Sequence, residues 1–523
     1  MKKFYITTAI DYVNGLPHIG HAYEKIASDV ISRHFKQRKT DVFFLTGSDE
    51  HGIKIEKTAK AKNVEPKEYC DIISEEFKKT WKAIDIDYNR YIRTTDEDHE
   101  KVVQWAFTKL QEKGDIYKDS YTGLYCNGCE AFLSPRDLTE NGLCPQHMEK
   151  PAEIKEENYF FRLLNYKDKI IEHIKNNPEF ILPEFRASEI LNQLENTQDI
   201  SVSRSKSSVS WGIPVPGDDK QVIYVWIDAL TNYITGVGVL EDKELFKKYW
   251  PADIHMIGKD ILKFHSIYWI AFLMALEIEL PKTIFAHGWI TIDETKMSKS
   301  LGNVINPTDL IKQFELEDAD SIRYFLMTTA PFGKDGNYND EDFKSKVNAD
   351  LANNLGNLLN RSLSMLVKYF DGEIKDFAVT TKDNELAIAC EETKNNVIEK
   401  FNAYQITEAV ESIIQLVNKT NKYVNEQAPW TLAKDEKNMT ECAKVLYNVL
   451  ETMRYASILI YPFTPNISQK IWQQLSCEGK VSEQNIFELS WNGLKKGKIA
   501  SSETVKPVFL RVDSELAGAN KKK

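Results

Sequence analysis

The stretch FYITTAIDYVNGLPHIGH, Phe4–His21, sets the reading of the whole chain. Residues 4–10 alternate β-branched and aromatic groups, which is a strand pattern, and the Pro17-His18-Ile19-Gly20-His21 turn then leads into a helix. From Tyr23 the apolar positions Ile26, Ala27, Val30, Ile31 and Phe35 recur at helical spacing. Asp41–Leu45, DVFFL, is a second short apolar run and ends in TGSDEHG. Strand, helix and strand of this size make a βαβ unit with a parallel sheet. Ligands of such sheets bind at the carboxyl ends of the strands, where both PHIGH and TGSDEHG fall. Two imidazoles around one glycine, at a helix N-terminus, read as a phosphate site. The plainer alternative is a helix start that happens to carry histidines.

Composition narrows the class. A chain of 523 residues, 42% hydrophobic and 28% charged, reads as a globular protein of several domains. No run of eighteen apolar residues occurs, so no membrane span is expected. The N-terminal MKKFYITTAI lacks a small-residue cleavage site and reads as a first strand, not a signal peptide. The chain is therefore expected in the cytoplasm, where its seven cysteines stay thiols or metal ligands. A net charge of −11 argues against a dedicated nucleic-acid binder without excluding a local basic surface.

The texture changes along the chain. Residues 1–113 read as the first half of a Rossmann-like α/β domain, and 114–221 as a cysteine-bearing insertion. Sheet-like runs return at 222–229, 253–260 and 283–292, so 222–305 completes the domain. Residues 306–345 form a linking region. The remainder, 346–523, reads as an all-α bundle: Leu351, Leu355, Leu358, Leu359 and Leu366 line one face, and Ile406, Ala409, Val410, Ile413, Ile414 and Val417 another. KPVFLRVDSEL near the end reads either as a returning strand or as a frayed tail.

Cys126-x-x-Cys129 is followed, fourteen residues on, by Cys144-x-x-His147. Three thiolates and an imidazole on two knuckles form a tetrahedral Zn²⁺ set that is closed, hence structural. Cys70, Cys390, Cys442 and Cys477 have no such partners and read as buried apolar groups. Lys296-Met297-Ser298-Lys299-Ser300, KMSKS, follows a strand of the completing half. A cationic loop facing a His-x-Gly-His turn makes sense if a polyphosphate lies between them.

These motifs carry a resemblance. PHIGH with KMSKS resembles the signature pair of class I aminoacyl-tRNA synthetases, and DYVNGLPHIGH, TGSDEHG, YVWIDA, IGKDILKFHS, HGWIT and NEQAPW resemble the methionyl-tRNA synthetase family. The resemblance implies an ATP-dependent ligase that forms methionyl-adenylate and then esterifies methionine tRNA, initiator and elongator. It implies His18, His21, Lys296 and Lys299 as phosphate-handling residues. It further implies Gly20, Glu24, Gly258, Asp260 and Ile290 around ATP, with Gly20 leaving room for adenine. Asp49 would pair with the substrate ammonium. Ile10, Tyr12, Trp226, Ala229, Leu230, Tyr233, Ile261 and His265 would enclose the thioether, with a Tyr or His donor at the sulfur edge. Asn357, Arg361 and Trp430 would read the anticodon. Mg²⁺ with ATP, one Zn²⁺ per chain and a monomer complete the expectation.

Read without the resemblance, Trp226 and Tyr233 are equally core aromatics, Trp430 a buried anchor, and His51 and His287 structural. The rivals are a class I synthetase for another amino acid and a synthetase-like RNA-binding protein without activation chemistry. The leucine, isoleucine and valine enzymes need a larger editing insertion than this interruption can hold.

Overall fold

The computed structural model describes residues 2–126, 131–133, 138–145, 148–297 and 303–512. Its centre is a parallel sheet built from β1 (Lys3–Thr8), β2 (Asp11–Tyr12), β3 (Asp41–Asp49), β4 (Arg90–Arg93), β5 (Ile181–Leu182), β6 (Ile254–Gly258) and β7 (Ile284–His287). The order is β2-β3-β1-β6-β7-β5, with β4 also paired to β3. Every pairing is parallel. The chain leaves β1 for β3 on one side and meets β6 on the other, so the crevice at the end of β1 is a topological switch point. α1 (Ile19–Gln37) starts there.

Side chains alternate across the sheet, as the pleat requires. Phe4 and Ile6 pack with Ile26, Val30 and Ile31 of α1, while Tyr5 and Leu45 pack on the opposite face with Phe107 of α2 (Glu97–Glu112) and Trp269. The insertion carries an antiparallel sheet of Ile116–Cys126, Ala131–Leu133, Ala152–Phe161 and Ile200–Ser201. It is not one continuous excursion, because β5, inside the expected 114–221 segment, pairs with β7 of the central sheet. A second reading is also corrected: of the run 222–229 only the start is strand (Asp218–Ile223), and Val225–Leu230 is helix α3. Fully buried helices and strands are both continuous apolar runs, and periodicity does not separate them over six residues.

The bundle contains α4 (Asn357–Phe370), α5 (Glu385–Asn402), α6 (Ile406–Gln427) and α7 (Met439–Ile460). Its core is continuous with the α1 side of the sheet. Buried Arg323 fastens the junction, donating to Asp29 Oδ2 on α1 at 2.6 Å and to the Pro462 and Phe463 carbonyls at 2.8 and 3.2 Å. Gln37, the last residue of α1, donates from Nε2 to the Ile458 carbonyl at 2.8 Å. Neither a strand nor fraying describes residues 506–512: Asn348 clamps the Val512 backbone through two 2.9 Å hydrogen bonds. No helix among the described residues is long and apolar enough to cross a membrane.

Candidate active site

His18 is the N-cap of α1, with φ −140° and ψ 170°. Its Nδ1 accepts from the Gly20 and His21 backbone N–H groups at 3.2 and 3.4 Å. His21 Nδ1 in turn accepts from the His18 N–H at 3.3 Å, and the rings stack with centroids 3.7 Å apart. The arrangement is a capping box made of two imidazoles. An accepting Nδ1 puts the neutral ring's proton on Nε2, so the second nitrogen of each ring is a donor. The helix dipole favours an anion at this end.

Gly20 has a steric reason of its own in the packed turn. A Cβ there would lie 2.9 Å from Met297 Cε and 3.0 Å from the His18 ring. The PHIGH turn and Met297 of the KMSKS segment are therefore in direct contact, and the Ile19 N–H donates to the Ile305 carbonyl at 2.9 Å just beyond that segment. Ser298, Lys299 and Ser300 lie outside the described residues, as does the side chain of Lys296, whose backbone ends the short strand Thr295–Lys296.

Behind the turn runs a buried charge chain. Lys25 Nζ donates to Asp11 Oδ1 (2.7 Å), Glu24 Oε1 (2.9 Å) and the Ala9 carbonyl (3.0 Å). His287 Nε2 lies 2.9 Å from Glu24 Oε2, and its Nδ1 lies 2.7 Å from the Gly288 carbonyl. Burial pushes the Glu24 carboxyl up, but Lys25 and His287 outweigh it and hold the group below its ordinary range. Burial raises Asp11 to about 7 despite Lys25. Glu24 is thus held by Lys25 and by His287, read as structural from sequence. Gly258 closes β6, and a Cβ on it would come within 2.7 Å of Asp260 Oδ1. Asp260 accepts from Trp289 Nε1 at 3.4 Å, and Ile290 is buried in the strand Ile290–Ile292.

The residues expected around the thioether converge at the same edge. Tyr12 and Asp49 are register partners across β2 and β3. Ile10, Trp226, Leu230, Tyr233 and Ile261 share one apolar cluster, and Ala229 adjoins them on α3. Trp226 stacks on Phe264 with centroids 3.5 Å apart. His265 sits in a π-helix, Phe264–Trp269, a form that recurs at functional sites. Its Nδ1 donates to the Ile261 carbonyl at 3.0 Å, so its Nε2 accepts from the Tyr233 hydroxyl at 2.6 Å. Burial lowers this imidazole to about 4, and it is neutral at pH 7. The Tyr233 hydroxyl and His265 Nδ1 are thus both engaged within the protein. Among the described residues, the buried Trp226 Nε1 has no hydrogen-bond partner.

Sequence reasoning missed Glu50. Its buried carboxylate takes Arg93 Nε and Nη2 at 2.7 and 2.8 Å and the Ser48 and Thr95 hydroxyls at 2.6 Å each, fixing the turn that bears Asp49. The adjacent acid pair in TGSDEHG was the available signal.

Of the proposed zinc ligands, Cys126 and Cys144 are described and buried, while Cys129 and His147 lie outside the described residues. Cys144 sits in a tight turn, where its carbonyl accepts from the Met148 N–H and its own N–H donates to the Glu149 carbonyl, both at 2.8 Å. Among the described residues no group of three metal-ligating side chains occurs. Cys70, Cys390 and Cys442 are buried and Cys477 half-buried.

On the bundle, Asn357 is exposed and Trp430 is 40% exposed, so Trp430 is not the buried anchor of the plainer reading. Arg361 is not a loose surface cation. Its Nη2 donates to Asn421 Oδ1 at 2.9 Å and its Nη1 to Asn425 Oδ1 at 3.2 Å, both on α6. Asn421 donates on to Asn354 at 2.6 Å.

Comparison with known proteins shows the family. The family described as tRNA synthetases class I (M) matches residues 4–153 and 140–363, and the anticodon-binding domain of tRNA ligase matches 383–513. Methionine–tRNA ligase of Clostridium perfringens is 48% identical over 98% of this chain and 79% of its own length. The Thermotoga maritima ligase is 41% identical over 98% of this chain and 81% of its length. The solved structure of Mycobacterium tuberculosis methionyl-tRNA synthetase in complex with methionyl-adenylate superposes with TM-score 0.91 at 40% identity, covering 98% of this chain and all of that one.

Proposed function

The chain belongs to the methionyl-tRNA synthetase family of class I aminoacyl-tRNA ligases, and we propose the following division of labour among its residues. The activity is that of a methionine–tRNA ligase. The methionine carboxylate attacks the ATP α-phosphate, giving methionyl-adenylate and pyrophosphate. The terminal ribose hydroxyl of the tRNA then takes the methionyl group and AMP leaves.

Such a step needs positioning and charge stabilisation more than covalent help. His18 and His21 donate from Nε2 to phosphate oxygens at the N-terminus of α1. Lys299, with Lys296, neutralises the departing pyrophosphate. Gly20, Glu24, Gly258, Asp260 and Ile290 line the adenosine. Asp49 pairs with the methionine ammonium, and Ile10, Tyr12, Trp226, Ala229, Leu230, Tyr233, Ile261 and His265 enclose the thioether. Mg²⁺ bound with ATP would offset phosphate charge. Cys126, Cys129, Cys144 and His147 would hold one structural Zn²⁺ that orders the insertion guiding the tRNA acceptor end. Asn357, Arg361 and Trp430 read the anticodon of initiator and elongator methionine tRNA. The enzyme works as a cytoplasmic monomer.

The observation that carries this reading is the double-imidazole cap of α1, packed against Met297 at the switch point of the sheet. The direct test is aminoacylation: labelled methionine should become acid-precipitable only with ATP and methionine tRNA. RNA binding without charging by well-folded protein would favour the binding-only rival.

A further inference from the structure

Beside the methionine pocket, two buried imidazoles meet at one carboxylate. Asp228 Oδ2 lies 2.7 Å from His51 Nδ1, and Asp228 Oδ1 lies 2.9 Å from His99 Nε2. His51 is 4% exposed, and His99 and Asp228 are fully buried. The carboxylate accepts, so His51 carries its proton on Nδ1 and His99 on Nε2. His99 Nδ1 is 3.2 Å from Thr235 Oγ1. Burial pushes the Asp228 carboxyl up, but the two imidazoles outweigh it and hold it below its ordinary range. Burial lowers His51, and Asp228, Glu100 and Glu50 together outweigh it, so the imidazole is raised.

The residues come from three regions far apart in the sequence. His51 is two residues past Asp49, in the turn after β3. His99 is on α2. Asp228 is on α3, between Trp226 and the Ala229-Leu230 pair, and Thr235 ends the short helix Asn232–Thr235 that carries Tyr233. The cluster therefore ties the ammonium side of the pocket to its thioether wall. Apolar residues of the same volume would hold the fold at least as well as a buried ionic cluster, so stability alone is a weak reason for it. Fixed geometry is a stronger one, because a displacement of about 1 Å in a substrate-positioning group can cost about a hundredfold.

We propose that His51, Asp228 and His99 form a clip of positioning residues that sets the spacing between Asp49 and the Trp226–Tyr233 wall, and with it the affinity for methionine. None of the three needs to touch the substrate. The proposal rests on the reading of the methionine pocket given above.

Paired amide substitutions test it, since an Asn side chain reproduces a donor at Nδ1 and a Gln side chain one at Nε2. His51→Asn and His99→Gln should keep the Michaelis constant for methionine near that of the unaltered enzyme. His51→Gln and His99→Asn should raise it about ten- to a hundredfold, the usual range for a lost supporting partner. The Michaelis constant for ATP should not change in any of the four. The members of each pair are equally polar, so a general folding defect would affect both, and circular dichroism confirms equal folding before kinetics. Equal effects within each pair, or parallel losses for ATP, would overturn the clip. Asp49→Ala serves as the control. If it weakens methionine binding while all four amide variants match the unaltered enzyme, the clip alone fails. If Asp49→Ala has no effect on methionine, the pocket reading fails with it.

Discussion

The imidazoles of His18 and His21 lie stacked at 3.7 Å, and each Nδ1 accepts a backbone N–H from the other residue. One pair of rings thus caps a helix and carries a donor Nε2 on each ring. The two tasks are separable. Asn is a good N-cap, so His18→Asn should change unfolding stability by no more than about 0.5 kcal/mol. Losing one preorganised donor should nevertheless slow adenylate formation by about 10²–10³. Stopped-flow adenylate formation and urea unfolding on the same variant decide it, and a normal rate would remove His18 from phosphate binding.

Tyr233 and His265 give a second test. Tyr233→Phe leaves the buried His265 Nε2 without its donor, a penalty of about 1–3 kcal/mol. Methionine affinity should fall correspondingly in isothermal titration, with ATP binding unchanged. An unchanged methionine affinity would mean that the pair does not shape the pocket.

The same histidine predicts a pH effect. Unfolded, it titrates near its ordinary 6.5, and folded near 4. Between these values the unfolded state binds more protons, so stability is lost as pH falls from about 6.5 to about 4 and not further below. At about 1.4 kcal/mol per pH unit, the native protein should lose about 3 kcal/mol more than His265→Gln between pH 7 and pH 4. Parallel denaturation curves for the two proteins across this range would contradict a buried neutral imidazole.

How far the sequence reached can be judged from particular residues. The first βαβ unit was legible because period-two alternation at 4–10 gives way to helical spacing from Tyr23. The Trp226 segment misread as strand because a buried helix of six residues carries no period of its own. β5 is two residues long and has no signal at all. Motifs located Asp49, Trp226 and His265, but not what holds them. Lys25 with Asp11, Glu24 with His287, and Asp228 with His51 are charge partners brought together by folding, up to 263 residues apart in the chain, and no local pattern announces them.

Trp430 is exposed on the bundle and remote in sequence from PHIGH, so substituting it tests the proposed anticodon contact apart from activation. A base stacked on an aromatic is worth about 1–3 kcal/mol, so Trp430→Ala should weaken aminoacylation of methionine tRNA by about ten- to a hundredfold. ATP–pyrophosphate exchange without tRNA should be untouched. Equal loss in both assays would make Trp430 a packing residue.

Metal analysis of purified protein should find one zinc per chain, and Cys129→Ala should lose it and expose residues 114–221 to proteolysis, because such knuckles fold on their metal. An active, zinc-free protein would refute the Cys126, Cys129, Cys144 and His147 set.

The central claim is that the crevice at the ends of β1, β3 and β6 activates methionine. ATP–pyrophosphate exchange measured with each of the twenty amino acids in turn tests it most directly. The account predicts exchange with methionine, abolished or greatly slowed by Asp49→Ala. Exchange driven by a different amino acid, or none from folded protein, would contradict it.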